Sequence, residues 1–403
     1  MWSLGVQKQS ADRKIGKRGT MALALLAALG WWAGSASAAI LNVGTCVKGT
    51  TYPTIGAAVY AAKPGDTVSV CPGTYKEIVT IDKNLTLIGK TPASGEFAEV
   101  KFPYNYQCAH TPYYHDCPQI IVKYATANIE HLHINGYGFD NNCYWTPVGI
   151  LFYKASGSAQ YNTIKNEDST CEEMLNDLVS DSYSPSGIGI WSDASEGNTA
   201  NVLVQGNYID NVAELGVYAD GVRNNVTNNS ISEDYRHNLA IYFDGTTGSS
   251  ALNNTIWGTG GGDYQTGIAV DYSSNTTLTR NSITDVHTAI DLDHSGTSTL
   301  NTNTMTDVTG GMRLTCASNN KMISNSVTDQ PSADGIYGAN LYDCEVDPGS
   351  DNNLFNGNKF NGLCAGILKG TPDNTGNTFI SNTFTNIGPG MNMMDGNVCP
   401  AAP

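Results

Sequence analysis

The feature that most constrains the fold is a motif that recurs about every 22 residues. Each copy has an apolar residue, two others, an asparagine, any residue and a second apolar residue, as in Val226, Asn229 and Ile231. The copies carry Asn162, Asn207, Asn229, Asn254, Asn281, Asn303, Asn325, Asn358 and Asn382. From Asn207 onward the spacings are 22, 25, 27, 22, 22, 33 and 24 residues. Self-similarity of this kind is the signature of a repeat architecture.

A second motif places two apolar residues two positions apart between successive asparagines. The pairs are Ile188 and Ile190, Val217 and Ala219, Ile241 and Phe243, Ile268 and Val270, Ile290 and Leu292, and Met312 and Leu314. This alternation predicts strands with one buried face. A repeat of about 22 residues is shorter than a βαβ unit, but it fits three short strands and three turns. We therefore predict an all-β chain, a single right-handed parallel β-helix (a solenoid) of roughly ten to twelve coils.

The recurring asparagine is expected to mark a sharp bend between two strands. Asparagine adopts the left-handed backbone conformation more readily than most other residues with a side chain. Stacked asparagines can also hydrogen-bond along the axis as a ladder. A β-sandwich with Asn-rich turns is the alternative, but it gives no reason for the near-constant spacing.

The first part of the mature chain departs from the repeat. Apolar residues at helical spacing predict a short helix over 55–62, ended by Pro64 and Gly65. Strands are expected at 67–71, 77–81 and 85–88. Because a solenoid needs an atypical unit to cover its open end, residues 39–89 are interpreted as an N-terminal cap, including a capping helix, and the first coils.

The same region resembles a known family. Tyr52-Pro-Thr-Ile55, Ala61-Ala-Lys-Pro-Gly-Asp-Thr-Val68, Cys71-Pro-Gly-Thr-Tyr75 and Leu85-Thr-Leu-Ile-Gly89 look like the start of pectin-lyase-like right-handed β-helix proteins. The resemblance implies the fold and leaves the activity open, because one fold hosts many functions. The signatures of pectin methylesterases, polygalacturonases and many pectate lyases are absent. A C5-epimerase would carry Asp-Pro-His-Asp, whereas Asp291-Leu-Asp-His294 has similar residues in another order.

The N-terminus predicts export. Basic residues precede an apolar stretch over 21–34, and Ala36-Ser37-Ala38 is a small-residue cleavage site, so residues 1–38 are interpreted as a signal peptide. Its removal takes away five of the 21 basic residues and one of the 37 acidic residues. The remaining chain has 16 basic and 36 acidic residues and a net charge of −20. This charge disfavours nucleic acid and anionic membranes as partners. We expect a secreted or periplasmic protein without membrane insertion.

Ten cysteines follow the cleavage site, and an even number in an exported chain indicates disulfides. Sequence proximity suggests the pairs Cys46–Cys71, Cys108–Cys117, Cys143–Cys171, Cys316–Cys344 and Cys364–Cys399. The loop over 102–118 also contains His110 and His115, so two cysteines and two histidines there form an alternative zinc or copper site. His131 and His133 are expected on one face of a strand.

Outward positions of the alternating strands carry the candidate chemistry. One expected column contains Asp220, Asp244, Asp271, Asp293 and Thr315; the next contains Tyr218, Tyr242, Ala269, Asp291, Arg313 and Tyr337. Stacked coils lie about 4.8 Å apart, so the carboxylates would repel one another. A pair would repel by roughly 3–4 kcal/mol at an effective dielectric near 20.

Three interpretations of this acidic face stay open. In the first, the face is a solvated row of carboxylates without catalytic or metal-binding chemistry. In the second, Asp244, Asp271 and Asp293 form a Ca²⁺ site. In the third, the face carries a catalytic acid–base group. The acid–base group would consist of Asp271, Asp291, Asp293, His294 and Arg313. Trp191, Tyr218, Tyr242 and Tyr337 are the candidate sugar-binding aromatics.

These observations favour a protein that binds and cleaves an extracellular, uronate-containing polysaccharide by a lyase or hydrolase mechanism. A non-catalytic surface protein, such as an adhesin, is the alternative from another class. A cation-binding or metal-site assembly protein is the third. The sequence leaves the oligomeric state undetermined.

Overall fold

In a computed structural model of the protein, internal contacts divide the chain into two units, residues 1–38 and 39–403. The structure describes residues 37–91, 95–103, 116–137, 139, 146–167, 186–194, 200–232, 239–258, 265–329, 337–342, 349–369, 374–388 and 393–395. The predicted signal peptide lies almost wholly outside these residues and stays a prediction.

The second unit contains three parallel β-sheets, here named A, B and C. Sheet A has the strands Thr51–Tyr52, Ile40–Val43, Thr67–Val70, Leu85–Gly89, Thr126–Glu130, Ser156–Gln160, Asn201–Gln205, Arg223–Thr227, Ser250–Leu252, Thr277–Thr279, Thr299–Asn301, Lys321–Ile323, Leu354–Asn356 and Thr378–Ile380. Sheet B has Gly73–Lys76, Ala98–Lys101, Leu132–Asn135, Thr163–Glu167, Tyr208–Val212, Ser230–Ser232, Thr255–Trp257, Ser282–Thr284, Thr304–Thr306, Ser326–Thr328, Lys359–Asn361 and Thr383–Thr385. Sheet C has Val79–Ile81, Asp116–Lys123, Thr146–Tyr153, Ile188–Asp193, Leu215–Asp220, Leu239–Asp244, Thr266–Asp271, Thr288–Asp293, Gly310–Thr315, Tyr337–Tyr342, Ala365–Lys369 and Met393–Asp395.

Successive strands of the chain pass from sheet A to sheet B to sheet C and then start the next coil. Arg223–Thr227, Ser230–Ser232 and Leu239–Asp244 form one such coil, and each strand pairs in parallel with its counterpart one coil later. The predicted coil of three strands per repeat is therefore confirmed. Sheets B and C each have 12 described strands, at the upper end of the expected number of coils.

The recurring asparagines form one continuous ladder. The backbone N–H and the side-chain Nδ2 of Asn254 both donate to Oδ1 of Asn281 at 3.0 Å. Asn281 repeats the pattern with Asn303, and its Nδ2 also donates to the carbonyl of Ala251 at 2.9 Å. The ladder runs through Asn162, Asn207, Asn229, Asn254, Asn281, Asn303, Asn325, Asn358 and Asn382. The buried amides thus satisfy one another along the axis.

The expected left-handed conformation of the ladder asparagines is wrong. The left-handed residue is the one before each asparagine, for example Arg280 with a φ of 55° and Thr302 with a φ of 54°. This preceding residue turns the chain out of sheet A. The asparagine itself is thereby free to direct its side chain inward, where it pairs along the axis.

The interior between the three sheets holds the hydrophobic core. In sheet C one interior column is completely buried; it includes Ile120, Ile150, Ile190, Val217, Ile241, Ile268, Ile290, Met312, Ala339 and Ile367. Full burial of each such side chain larger than alanine stabilises the fold by about 1.5–3 kcal/mol. Ile188, which the sequence pattern placed inside, instead belongs to a separate cluster on the outer face of sheet C with Val148 and Leu151.

A helix over Ile55–Ala61 begins at Thr54, whose side chain accepts a hydrogen bond from the N–H of Ala57. The carboxylate of Glu77 accepts from the N–H groups of Ile55 and Gly56, both at 2.8 Å, and so satisfies the helix N-terminus. Ile55, Ala58 and Val59 of this helix are buried in the main core. Its capping role stays a prediction.

The first coils differ from the expected strands in two ways. The strand predicted at 77–81 is shorter, Val79–Ile81 in sheet C, and an additional strand that was not predicted, Gly73–Lys76, lies in sheet B. The chain turns between them, so Glu77 lies at a corner. Within the described residues, no helix has the length and apolar character needed to cross a membrane.

A disulfide joins Cys46 and Cys71, as predicted. Cys117, Cys316 and Cys364 are also disulfide-bonded, and the described residues contain no free cysteine. The predicted partners Cys108, Cys344 and Cys399, and the pair Cys143–Cys171, lie outside the described residues. Because Cys117 is oxidised, it is not available as a thiolate ligand for the alternative metal site in the 102–118 loop.

Candidate functional site

The aspartates of the outer face of sheet C form a row, as the sequence pattern predicted. Register pairs Asp193 with Asp220, Asp220 with Asp244, Asp244 with Asp271, and Asp271 with Asp293. The row ends at Thr315, which pairs with Asp293. We call Asp193, Asp220, Asp244, Asp271 and Asp293 the aspartate row. Asp193 is a member that the sequence analysis did not assign.

A second row runs beside it, two residues earlier in each strand. Its order is Trp191, Tyr218, Tyr242, Ala269, Asp291, Arg313 and Asn340. The Trp191 and Tyr218 rings stack with centroids 5.7 Å apart, and the Tyr218 and Tyr242 rings stack at 5.1 Å with planes 8° apart. The aromatic stack ends at the small side chain of Ala269, and the charged residues begin in the next coil.

Tyr337 does not lie in this row, so its predicted position is wrong. It pairs with Gly310, whereas Asn340 occupies the place beside Arg313. The interior residue of the Tyr337–Tyr342 strand that pairs with Met312 is Ala339, which shifts the register of the expected column. Tyr337 is only 6% exposed and packs with Ala365 and Leu368.

The two rows meet in a compact polar cluster of Tyr242, Asp271, Asp291 and Arg313. The Tyr242 hydroxyl donates to Oδ2 of Asp271 at 3.0 Å. The Arg313 guanidinium binds both carboxylate oxygens of Asp291, with Nε 2.8 Å from Oδ1 and Nη2 in contact with Oδ2. Asp291 lies diagonally from Asp271 on the neighbouring strand, across Ala269. A bidentate arginine pair is a strong charge-assisted interaction and holds the Asp291 carboxylate in place.

Asp271 is the member of this cluster whose pKa is shifted toward neutral pH. Burial, then the charge of Asp291, and then the charges of Asp293 and Asp244 raise the pKa of Asp271 to about 7, against the lowering effect of the Tyr242 hydrogen bond. Its Oδ1 is buried without a hydrogen-bond partner. A carboxyl group of this kind both gives and takes a proton near neutral pH.

Asp293 and His294, also predicted as site residues, form a separate pair. Nδ1 of His294 lies 2.7 Å from Oδ1 of Asp293, and the His294 ring stacks on Tyr272 with centroids 4.8 Å apart. His294 has a φ of 45°, so it lies at the bend after the strand and not on the face with Asp271 and Asp291. Cys316 is close enough to form a three-residue group with this pair. Its disulfide removes the thiolate from that group.

The Ca²⁺ site predicted on Asp244, Asp271 and Asp293 stays a prediction. The three carboxylates do lie in successive coils of one row. Two of them accept a tyrosine hydroxyl, since Tyr218 donates to Asp244 at 3.4 Å and Tyr242 to Asp271.

The sequence analysis missed two acidic groups on the same face. Asp116 begins a strand of sheet C and is 7% exposed, and Glu214 precedes the Leu215–Asp220 strand. Burial, followed by the charges of Glu214 and Asp193, raises the pKa of Asp116 to about 8. Burial also raises the pKa of Glu214. Both residues lie beside regular strand positions and outside the alternating motif, so the pattern carried no signal for them.

His131 and His133 do not share a strand face. His131 has a φ of 54° and stacks on Tyr161 at the bend before the strand, whereas His133 stacks on Phe97 with centroids 3.9 Å apart. Burial lowers the pKa of His133. The two imidazoles have different neighbours and do not form the expected pair.

Comparisons with known proteins agree with this architecture. A family model described as a right-handed β-helix region matches residues 216–384. The comparison with curated proteins finds no match.

Solved structures with similar folds share little sequence with this chain. The A-module of mannuronan C-5 epimerase AlgE6 from Azotobacter vinelandii has a TM-score of 0.59 at 14% identity, covering 86% of this chain and 91% of that chain. The AlgE4 A-module from the same organism has a TM-score of 0.50 at 13% identity, with 86% and 92% covered. A double mutant of the tailspike protein of E. coli bacteriophage HK620 has a TM-score of 0.56 at 11% identity, with 79% and 60% covered. At these identities the likeness shows the fold. The predicted fold class is confirmed: by its fold, the chain is a right-handed parallel β-helix.

Proposed function

We propose that this is an exported protein whose sheet C outer face binds a polysaccharide and hydrolyses its glycosidic bonds. The observation that carries the proposal is the pairing of two differently held carboxyl groups: Asp271, with a pKa raised to about 7, beside Asp291, whose charge Arg313 compensates. Glycoside hydrolysis needs one carboxylic acid and one carboxylate at the scissile bond. The two aspartates provide these opposite states through their different surroundings.

In this mechanism Asp271 donates its proton to the glycosidic oxygen as the bond to that oxygen breaks. Asp291 stays a carboxylate and stabilises the positive charge of the oxocarbenium-like transition state. Water adds to the sugar carbon, and its proton returns to the carboxylate of Asp271. Tyr242 holds Asp271 in position through its hydroxyl, and Arg313 holds Asp291.

A hydrolase fits the site better than a lyase. A lyase removes a proton beside a uronate carboxylate, whose charge must be neutralised by cations. The strands from Ile188–Asp193 to Gly310–Thr315 carry six aspartates and a single basic residue, Arg313, which is already bound to Asp291. A uronate polymer, the substrate class expected from the sequence, would need added Ca²⁺ to bridge its carboxylates to the aspartate row.

The structural neighbours support a polysaccharide ligand. Two of them are A-modules of mannuronan C-5 epimerases, and one tailspike structure contains a hexasaccharide. A non-catalytic surface protein would need no acid–base pair. A measured hydrolytic activity would therefore distinguish the proposed hydrolase from such a protein.

The test is to incubate the secreted protein with neutral, amino-sugar and uronate polysaccharides, with Ca²⁺ or with a chelator. Release of reducing ends without unsaturated uronate ends is the expected result. Asp271→Asn should lower the rate at least about 100-fold, since general acid catalysis contributes roughly 10²–10⁴. Asp307→Asn is the matched control, because Asp307 has a φ of 52° in a turn outside sheet C and asparagine tolerates that backbone. Unsaturated products, or full activity in Asp271→Asn, would contradict the hydrolase mechanism.

A further inference from the structure

The outer side of sheet B carries two rows of hydroxyl groups. Five consecutive strands consist of a serine or threonine, a buried apolar residue and another serine or threonine, except that tryptophan ends the second strand. They are Ser230–Ser232, Thr255–Trp257, Ser282–Thr284, Thr304–Thr306 and Ser326–Thr328. Register aligns the first residues of these strands in one row and the third residues in another. We call these two rows the hydroxyl face; its residues repeat every ~4.8 Å along the axis.

The hydroxyl groups of this face are available to a ligand. Apart from Ser232, the serine and threonine side chains of the five strands form no hydrogen bond with another described residue. The buried hydroxyl groups of Ser273 and Ser295, in contrast, donate to backbone carbonyl oxygens. Because a hydroxyl group both donates and accepts, the two rows match a ligand that is itself rich in hydroxyl groups.

The hydroxyl face is uncharged, although the chain has a formal net charge of −16. None of its five strands contains a charged residue. Charges lie only around it in the described residues: Asp285 and Asp307 in the turns toward sheet C, Arg280 in a turn toward sheet A, and the Lys165–Asp210 ion pair at one end. A charged polymer would lose hydration on this face without meeting an opposite charge, whereas a neutral polymer carries no such cost.

Two aromatic rings lie at the end of the hydroxyl face. Trp257 belongs to the face, and Tyr208 pairs with Ser230 one coil earlier and is 37% exposed. Their strands are two coils, or about 9.6 Å, apart. The ring centroids, however, are 6.3 Å apart, with the planes tilted by 36°. The rings therefore lean toward each other over the intervening strand, where Ser232 is only 5% exposed. Rings in this position suit the C–H faces of sugar rings.

Three loops beside the hydroxyl face lie outside the described residues. They follow strands of the face on the side toward sheet C and span 233–238, 259–264 and 330–336. Charged residues of both signs occur in them, among them Arg236 and Asp263. The strands Ser282–Thr284 and Thr304–Thr306 have described turns on both sides, so the centre of the face is defined without these loops.

We propose that the hydroxyl face docks a neutral, insoluble polysaccharide, at a site separate from the acidic face of sheet C. The sugar hydroxyl groups exchange hydrogen bonds with the two rows, and the sugar rings pack on Tyr208 and Trp257. Short side chains of similar length form an even surface, which suits an ordered polymer surface, whereas single ligands are held in concave sites. The inference goes beyond the proposed function, because it does not depend on the acid–base pair.

The test measures retention of the exported protein on insoluble polymers by its depletion from solution. Cellulose, chitin and starch are the neutral probes, and cross-linked polygalacturonate and chitosan are the charged ones. At least one neutral probe should retain the protein equally at low and high salt, because the face itself offers no charge to screen. Salt also removes an ionic contribution from the three loops. Retention confined to the charged probes, or lost at high salt, would overturn the inference.

Paired variants test the face itself. Trp257→Ala should lower the affinity for the neutral probe at least about tenfold. Tyr60→Ala removes a ring that is 87% exposed on the helix Ile55–Ala61 and should leave the affinity unaltered. Thr284→Lys should weaken binding because it places a charge in the centre of the face, whereas Thr279→Lys makes the same change on sheet A in the same coil. Unaltered affinity in both Trp257→Ala and Thr284→Lys would contradict the assignment.

The two proposals fail in different ways. If hydrolysis of soluble glycans depends on Asp271 while no neutral probe retains the protein, the proposed function stands and the docking surface fails. If Trp257→Ala loses retention while Asp271→Asn keeps full hydrolytic activity, the catalytic assignment fails. A dimer in sedimentation that Thr284→Lys dissociates would identify a second copy of the chain as the occupant and overturn the polysaccharide. Thermal unfolding of each variant confirms that it is folded.

Discussion

At the residue scale, the acidity of Asp271 depends on neighbours that act in opposite directions. Burial raises its pKa most, the charges of Asp291 and Asp293 raise it further, and the hydrogen bond from Tyr242 lowers it. The two aspartates come from the strand that follows Asp271 and Tyr242 from the strand that precedes it, and the parallel register brings them together. The proton affinity of this group is therefore a property of the stacked coils.

The first prediction concerns the pH dependence of hydrolysis. Because Asp271 must be protonated, kcat/KM should fall as the pH rises through about 7, the pKa of this group. Tyr242→Phe removes a lowering influence and should move this limb to higher pH, whereas Asp293→Asn removes a raising charge and should move it to lower pH. The pH at which kcat/KM falls to half should differ between the two variants by on the order of one unit. Rate profiles measured over pH 5–9 check the prediction. Shifts in the same direction would rule out Asp271 as the acid.

The second prediction concerns Asp116 and stability. Its folded pKa of about 8 lies above the ordinary value of 3.8, so the folded state binds the extra proton between these values. Stability from this group is complete below pH ~4 and is lost as the pH rises toward 8. Asp116→Asn should therefore flatten the decline of Tm between pH 5 and 8, measured by thermal unfolding. Asp307→Asn serves as the control, and an unaltered slope in Asp116→Asn would contradict the burial argument.

At the element scale, the ladder of asparagines fixes the register of the coils. Every interior asparagine accepts two hydrogen bonds from the previous coil's asparagine and donates to two carbonyl oxygens, one of a side chain and one of a backbone. These groups are almost completely buried; Asn254, Asn281 and Asn303 are each 1% exposed. A slip of one residue would leave them without partners.

The third prediction follows from this arrangement. Asn281→Ala removes the acceptor of the Asn254 N–H and two of its own donor contacts, so the free energy of unfolding should fall by about 3 kcal/mol. Asn301→Ala in the adjacent coil changes a partly exposed asparagine that lies outside the ladder, and it should cost less than about 0.5 kcal/mol. Chemical denaturation of both variants gives the comparison. Equal losses would show that the ladder contributes nothing specific.

The fold and the candidate site differ in how far they follow from the sequence. The aspartate row and the aromatic row follow from counting along an alternating strand, because in-register parallel coils align equivalent positions. Tyr337 was misplaced because its strand uses Ala339 where other coils have a larger residue, so the apolar pattern gives the wrong starting point. Asp116 and Glu214 lie beside the pattern and become neighbours only through packing.

At the scale of the whole molecule, the chain is a repeat in which each coil contacts only its neighbours. In such a solenoid, stability is approximately a sum over coils and their interfaces. The Cys46–Cys71 disulfide closes the first coils, beside the helix Ile55–Ala61 that buries part of the core there.

The fourth prediction concerns the mature protein. Expression in a bacterium with intact export should give an extracytoplasmic protein that begins at Ala39, because small residues precede that position. All ten cysteines should be protected from alkylation until a reductant is added. Mass spectrometry of the N-terminal peptide and of the alkylated protein checks both points. An intact N-terminus, or thiols that react without reduction, would contradict the predicted export.

The sequence by itself determined the solenoid, its coil length, the asparagine ladder and the outward position of the acidic row. It could do so because a short-range periodicity is repeated in every coil, and one coil predicts the next. Only the tertiary structure decided that Arg313 binds both carboxylate oxygens of Asp291, that Tyr242 donates a hydrogen bond to Asp271, and that Asp116 and Glu214 lie close together. Those contacts depend on side-chain direction, burial and charge between coils, and no periodicity along one chain encodes them.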